Sequence, residues 1–128
     1  MGYYMHQMDA VFTIRKEHFD AALAAVKAER HGSWVSEEKV RDAKTLSDAM
    51  LAWRWEVFID DTGDIANISF NGQKSGDEDT LFTAIAPFVK EDSYIEMQGE
   101  DGNMWRWWFT EGQCVEIYPK TTWPDMDK

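Results

Sequence analysis

The chain has one cysteine, three prolines and three histidines in 128 residues, and 13 Lys and Arg against 24 Asp and Glu. Each scarcity excludes something. A lone cysteine, Cys114, cannot form an internal disulfide and fits a reducing compartment, so the cytoplasm is the expected location. The opening MGYYMHQMDAVF lacks the basic region and apolar core of a secretory signal, and no later run approaches the ~20 apolar residues of a membrane span. The shortage of bases leaves a net charge of −11, a field that repels phosphates, so direct nucleic-acid binding is not expected. His6, His18 and His31 lie far apart, with no HxH, HxxxH or HExxH spacing for zinc. Neither GxGxxG nor GxxxxGK[ST] occurs, which removes the familiar nucleotide folds.

The remaining candidates for chemistry read as structure. DDTGDI lacks the alternate acids and distant Glu of a calcium loop and reads as a hairpin turn. The adjacent acids of GEDGN suit a solvated hairpin tip. Cys114, placed at a strand start with no His near it in sequence, reads as structural rather than nucleophilic. No catalytic residue, metal or cofactor is therefore expected, and the reading leans away from an enzyme.

What is present is apolar and aromatic: 44% hydrophobic residues, with 7 Trp, 4 Tyr and 7 Phe. That suffices for one domain over residues 1–128 with a real core. Residues 119–128 read as a loose tail in which Trp123 alone is expected to dock. The acids fall in short clusters at turns and helix starts, as on a solvated surface.

Residues 3–14 read as a strand broken near Asp9 and Ala10. Helical spacing of Phe19, Leu23 and Val26 predicts a helix over 16–30, stopped by His31-Gly32. The stretch SWVSEEKVRDAKTL is ambiguous, but Thr45 followed by Asp48 resembles a shortened capping box opening a second helix toward Trp53. WRWEVFID alternates, with Trp53, Trp55, Val57 and Ile59 on one side, and begins a hairpin over 53–70. A third helix is predicted over 77–86, then strands over 94–98, 104–110 and 114–118. The order is strand, helix, helix, two strands, helix, three strands. This implies an α+β fold built on one mostly antiparallel sheet of about six strands with three helices.

The last three strands also predict a surface. A five-residue GEDGN loop sets Met97 against Trp105 and Ile95 against Trp107, whereas a shift of one residue would pair apolar groups with charges. A three-residue EGQ loop, with Gly112 left-handed, sets Phe109 against Val115 and Trp107 against Ile117. The opposite face then carries Tyr94, Glu96, Arg106, Trp108, Glu116 and Tyr118, with Glu96 across from Arg106 and Trp108 across from Glu116. Trp, Tyr and Arg dominate binding hot spots, so these six residues are the candidate binding site. An ordinary solvated sheet face is the competing reading.

The blocks SYIEMQGEDGNMWRWWF, LAWRWEVFIDDTGDI and DEDTLFTAIAPFVK resemble a group of small uncharacterised bacterial proteins. The resemblance spans most of the chain and implies the fold outline and a bacterial or phage origin, with no activity attached. By analogy alone it points to immunity or anti-defence factors.

Three functions compete. One is a non-catalytic inhibitor or immunity-type module that docks its aromatic face on a protein with a basic surface. A second is a small-molecule-binding or catalytic domain with a pocket on the same face. The third is a homodimer that buries the face structurally.

Overall fold

The alanine-rich stretch after residue 18 forms α1 (Phe19–Ala28), led by a 3-10 turn (Lys16–His18), in the computed structural model, which describes residues 2–29 and 37–125. Its buried residues, Ala22 and Val26, lie four apart and so share one face. The expected stop at His31-Gly32 lies outside the described residues. A short helix, α2 (Glu37–Asp42), stands in the ambiguous stretch and is one more than the pattern predicts. Six residues hold fewer than two turns, too few for periodicity to reveal. The next helix, α3 (Leu46–Ala52), opens as expected: Thr45 Oγ1 accepts the Asp48 backbone N–H at 3.1 Å.

The tryptophan-rich strand starts later than alternation predicts. Trp53 closes α3, and Arg54 turns the chain with φ +74° before β2 (Trp55–Ile59) begins. A left-handed Arg is strained where glycine is usual, but Arg54 is anchored, its carbonyl accepting Asn71 N–H at 2.7 Å. DDTGD is the expected hairpin turn into β3 (Ile65–Phe70). Asp60 accepts both the hydroxyl of Thr62 (2.6 Å) and its backbone N–H (2.9 Å), contacts that hold its carboxyl below the usual range.

The six strands are antiparallel and in the expected order, but they form two sheets rather than one. One sheet runs β1-β4-β5-β6, with β1 (Met5–Val11), β4 (Ser93–Gly99), β5 (Met104–Thr110) and β6 (Gln113–Ile117). The other is the β2–β3 pair. What splits them is side-chain substitution for a ladder. The Gln7 amide donates to Ile68 O and accepts from Phe70 N, each at 2.9 Å, so it occupies backbone groups that a continuous ladder would pair. Beside it β1 carries a bulge between Gln7 and Asp9, at the expected break. Past the bulge, Ile14 and Ile65 exchange backbone bonds of 3.1 and 2.9 Å.

The last helix, α4 (Glu78–Ile85), runs into a 3-10 turn (Ala86–Phe88) holding Pro87. Leu81, Phe82 and Ile85 bury against Trp55 of the small sheet and Ile95, Met97, Trp107 and Phe109 of the large one. None of the described helices is long and apolar enough to cross a membrane.

The register of the last strands corrects one expectation. Met97 pairs with Trp105, Ile95 with Trp107 and Glu96 with Arg106, as predicted. The final hairpin instead has a two-residue loop, with Glu111 and Gly112 both at positive φ and Thr110 paired with Gln113. Every partner on β6 shifts by one: Phe109 faces Cys114, Trp107 faces Glu116 and Trp108 faces Val115. The cause is Glu91, whose carboxylate accepts the Thr110 hydroxyl and the Glu111 N–H (2.8 Å) and pins the tight turn.

Candidate functional site

Four of the six predicted site residues, Tyr94, Glu96, Arg106 and Trp108, share the sheet face turned away from the core. They form a connected ladder. Tyr94 donates its hydroxyl to Asp9 (2.8 Å), the Arg106 guanidinium lies 4.3 Å from the Tyr94 ring centroid, and Arg106 Nε donates to Glu96 at 2.8 Å. The Trp108 indole donates to Asp92 at 3.2 Å. The Asp9 hydrogen bond, with burial and carboxylate charge adding to it, pushes the Tyr94 phenol above its usual range.

Glu116 is not on this face, and Tyr118, just past the end of β6, borders both this face and the opposite side of the sheet. The two-residue turn puts Val115 and Ile117 there, 37% and 36% exposed, and Val11 of β1 adds a third apolar side chain at 53%. The face is therefore more apolar than the predicted one, with an Arg–Glu pair in its midst. It carries a dent of about 230 Å³ bordered by Glu96, Met104, Arg106, Ile117 and Tyr118. Trp123, expected to dock, is 86% exposed.

Glu116 and Tyr118 border a cleft of about 770 Å³ on the helix side of the sheet, between the start of α4 and the β4–β5 loop. Its walls include Tyr3, Trp105 and Trp107; the two indoles stand at 84° with centroids 5.7 Å apart, and Tyr3 lies 6.2 Å from Trp105. The Trp107 indole donates to Asp79 (3.2 Å), the Tyr3 hydroxyl to Asp101, and the Tyr118 hydroxyl to Glu116. Its Asp101 bond pushes the Tyr3 phenol up to about 12. Beside the cleft, burial first and then Asp79 and Glu116 push the Cys114 thiol up to about 12, which makes it a poor nucleophile. The Trp105 indole N–H is buried with no partner among the described residues, an arrangement that costs about 1–3 kcal/mol.

Comparison with protein-family models, curated proteins and solved structures finds no match. Function is therefore argued from these two surfaces.

Sequence reasoning missed the cleft because it joins residues from four separate segments. One signal was available: Gly99 closes the first of the two aromatic hairpins, where a small residue admits a ring. A Cβ at Gly99 would lie 1.6 Å from the Tyr3 oxygen and 2.2 Å from its Cζ. Gly99→Ala should evict Tyr3 from Asp101 and Trp105 and cost about 1–3 kcal/mol in thermal unfolding. The same change in a Tyr3→Ala background should cost much less, because the clash is gone.

Proposed function

We propose that this protein is a non-catalytic binding module of the inhibitor, immunity or anti-defence kind, and that it docks a protein partner on the open face of the four-stranded sheet. One observation carries this reading: Arg106, laid over Tyr94 and paired with Glu96, is set among Trp108 and the exposed Val11, Val115 and Ile117 on a face that the described helices leave uncovered. An apolar centre holding Trp, Tyr and Arg has the composition of an interface hot spot. Asp9, Glu91 and Asp92 rim it, and the chain carries −11, so the complementary partner has a basic surface around an apolar centre. A small-molecule site on this face is disfavoured, because a dent of about 230 Å³ is smaller than the ~300–1,000 Å³ typical of ligand pockets.

The test is affinity against a double variant. The strongest specific protein captured from a bacterial lysate by the tagged chain would be purified and titrated with wild type and with Arg106→Ala/Trp108→Ala, after near-UV dichroism shows that both are folded. Loss of at least about 2 kcal/mol, roughly 30-fold, together with weakening by salt, is expected. Equal affinity for both proteins would remove the sheet face from the interaction. A dimer in sedimentation that Trp108→Asp dissociates would instead assign the face to self-association.

A further inference from the structure

The cleft on the helix side adjoins the sheet-face dent along Met104, Trp105 and Tyr118, but its chemistry differs. Glu78, Asp79, Asp101 and Glu116 line it, and among the described residues no Lys, Arg or His does. Glu78 is balanced by Arg54 at 3.1 Å. The other three carboxylates meet neutral donors: Asp79 the Trp107 indole, Asp101 the Tyr3 phenol and Asn103, Glu116 the Tyr118 phenol. Those bonds orient the carboxylates without neutralising them, and each retains acceptor capacity. The adjoining wall is aromatic, with two indoles at a right angle.

We propose that this cleft is a binding site for an organic cation, a guanidinium or primary ammonium group that seats its charge by Asp79 and Glu116 and its carbon skeleton against Trp105. An anion would be repelled there. A neutral apolar ligand would desolvate carboxylates without compensating them. A metal ion needs converging ligands, and among the described residues no group of three or more His, Cys, Asp or Glu is placed to hold one. An organic cation satisfies both walls at once: N–H donors meet the carboxylates, and the positive charge is attracted to the half-buried Trp105 ring. About 770 Å³ admits such a group with several atoms attached to it. Beside the cleft, burial first and then Asp79 and Glu116 raise the Cys114 thiol.

The test uses the full chain labelled with ¹⁵N, following its indole N–H signals during titration. The probes are agmatine, a Gly-Arg-Gly peptide with blocked ends, and the same peptide with citrulline, the neutral isostere of arginine. Both cationic probes should shift the Trp105 and Trp107 signals, citrulline should not, and salt should weaken the effect. Tighter binding of agmatine would identify a free amine as the source, and tighter binding of the peptide a basic protein segment. Asp79→Asn/Glu116→Gln should weaken binding at least roughly tenfold while Arg106→Ala/Trp108→Ala leaves it unchanged, which separates this site from the sheet face. Equal shifts from citrulline and arginine peptides, or no shift up to about 50 mM of either cation, would overturn the proposal. The comparison of arginine with citrulline needs no variant, so it stands even if the carboxylate variants misfold.

Discussion

Replacement of Glu78 by Ala should lower the unfolding free energy by about 3–5 kcal/mol, a large share of the ~5–15 kcal/mol that holds a domain together. Glu78 is 2% exposed and opens α4, where a negative charge also suits the helix dipole. Its carboxylate collects Gly76 N–H at 2.6 Å, Arg54 Nη2 at 3.1 Å and the Trp55 indole at 3.3 Å. Truncation takes the carboxylate away from the Arg54 guanidinium, which keeps its bond to the Lys74 carbonyl (2.7 Å), and leaves the Trp55 N–H without its acceptor. A urea titration would read the loss as a lower midpoint at unchanged slope. Glu78→Gln keeps the shape and two of the hydrogen bonds and should cost clearly less. Adding Arg54→Met to Glu78→Ala should recover part of the loss, because the charge that Glu78 balanced goes with it. A loss under about 1 kcal/mol in Glu78→Ala would mean that the pair is solvated and does not lock α4 to β2.

Phe82→Ala should cost a comparable ~3–5 kcal/mol for a different reason. The Phe82 ring is fully buried, with centroids 5.1 Å from Trp55, 4.9 Å from Trp107 and 5.8 Å from Phe109. Deleting it opens a cavity where α4 meets both sheets and removes three ring pairs, each contributing about 0.5–1.5 kcal/mol beyond area burial. Near-UV dichroism should fall along with stability, because Trp55 and Trp107 lose the ring that orders them. Trp107 also holds Asp79, so the cleft should bind cations more weakly in Phe82→Ala even below its unfolding temperature. Phe82→Leu, which refills most of the volume, should restore much of the stability and less of the dichroism. Glu78 and Phe82 both touch Trp55, so their costs should not add when combined.

The legible part of the open face was the part governed by alternation. Met97, Trp105, Ile95 and Trp107 match only in one register, so Glu96 and Arg106 follow onto the other face without further information. At β6 the same logic failed. Val115 and Ile117 looked like core because they are apolar, yet Cys114 and Glu116 face inward, Cys114 packing against the core beside α4 and Glu116 bordering the cleft. Apolar patterning selects a register only where both alternatives would be buried or exposed to different degrees, and here neither face of β6 is fully covered. The turn decides instead, and its anchor, Glu91, lies 20 residues from Glu111.

By itself the sequence determined the α+β class, the order of the strands, the Thr45 cap, the hairpin at DDTGD and the pairing of β4 with β5. Each of these follows from neighbours within one element or across one short loop, where spacing dictates which side chains share a face. Only the tertiary structure decided that Gln7 replaces a ladder between two sheets, that Arg54 and Glu78 meet across 24 residues, and that Glu116 leaves the sheet face for an acidic cleft. Those outcomes rest on single polar contacts between distant segments. A hydrogen bond is worth making only when its partner is already held in range, and that condition is met by the assembled fold rather than by any local pattern.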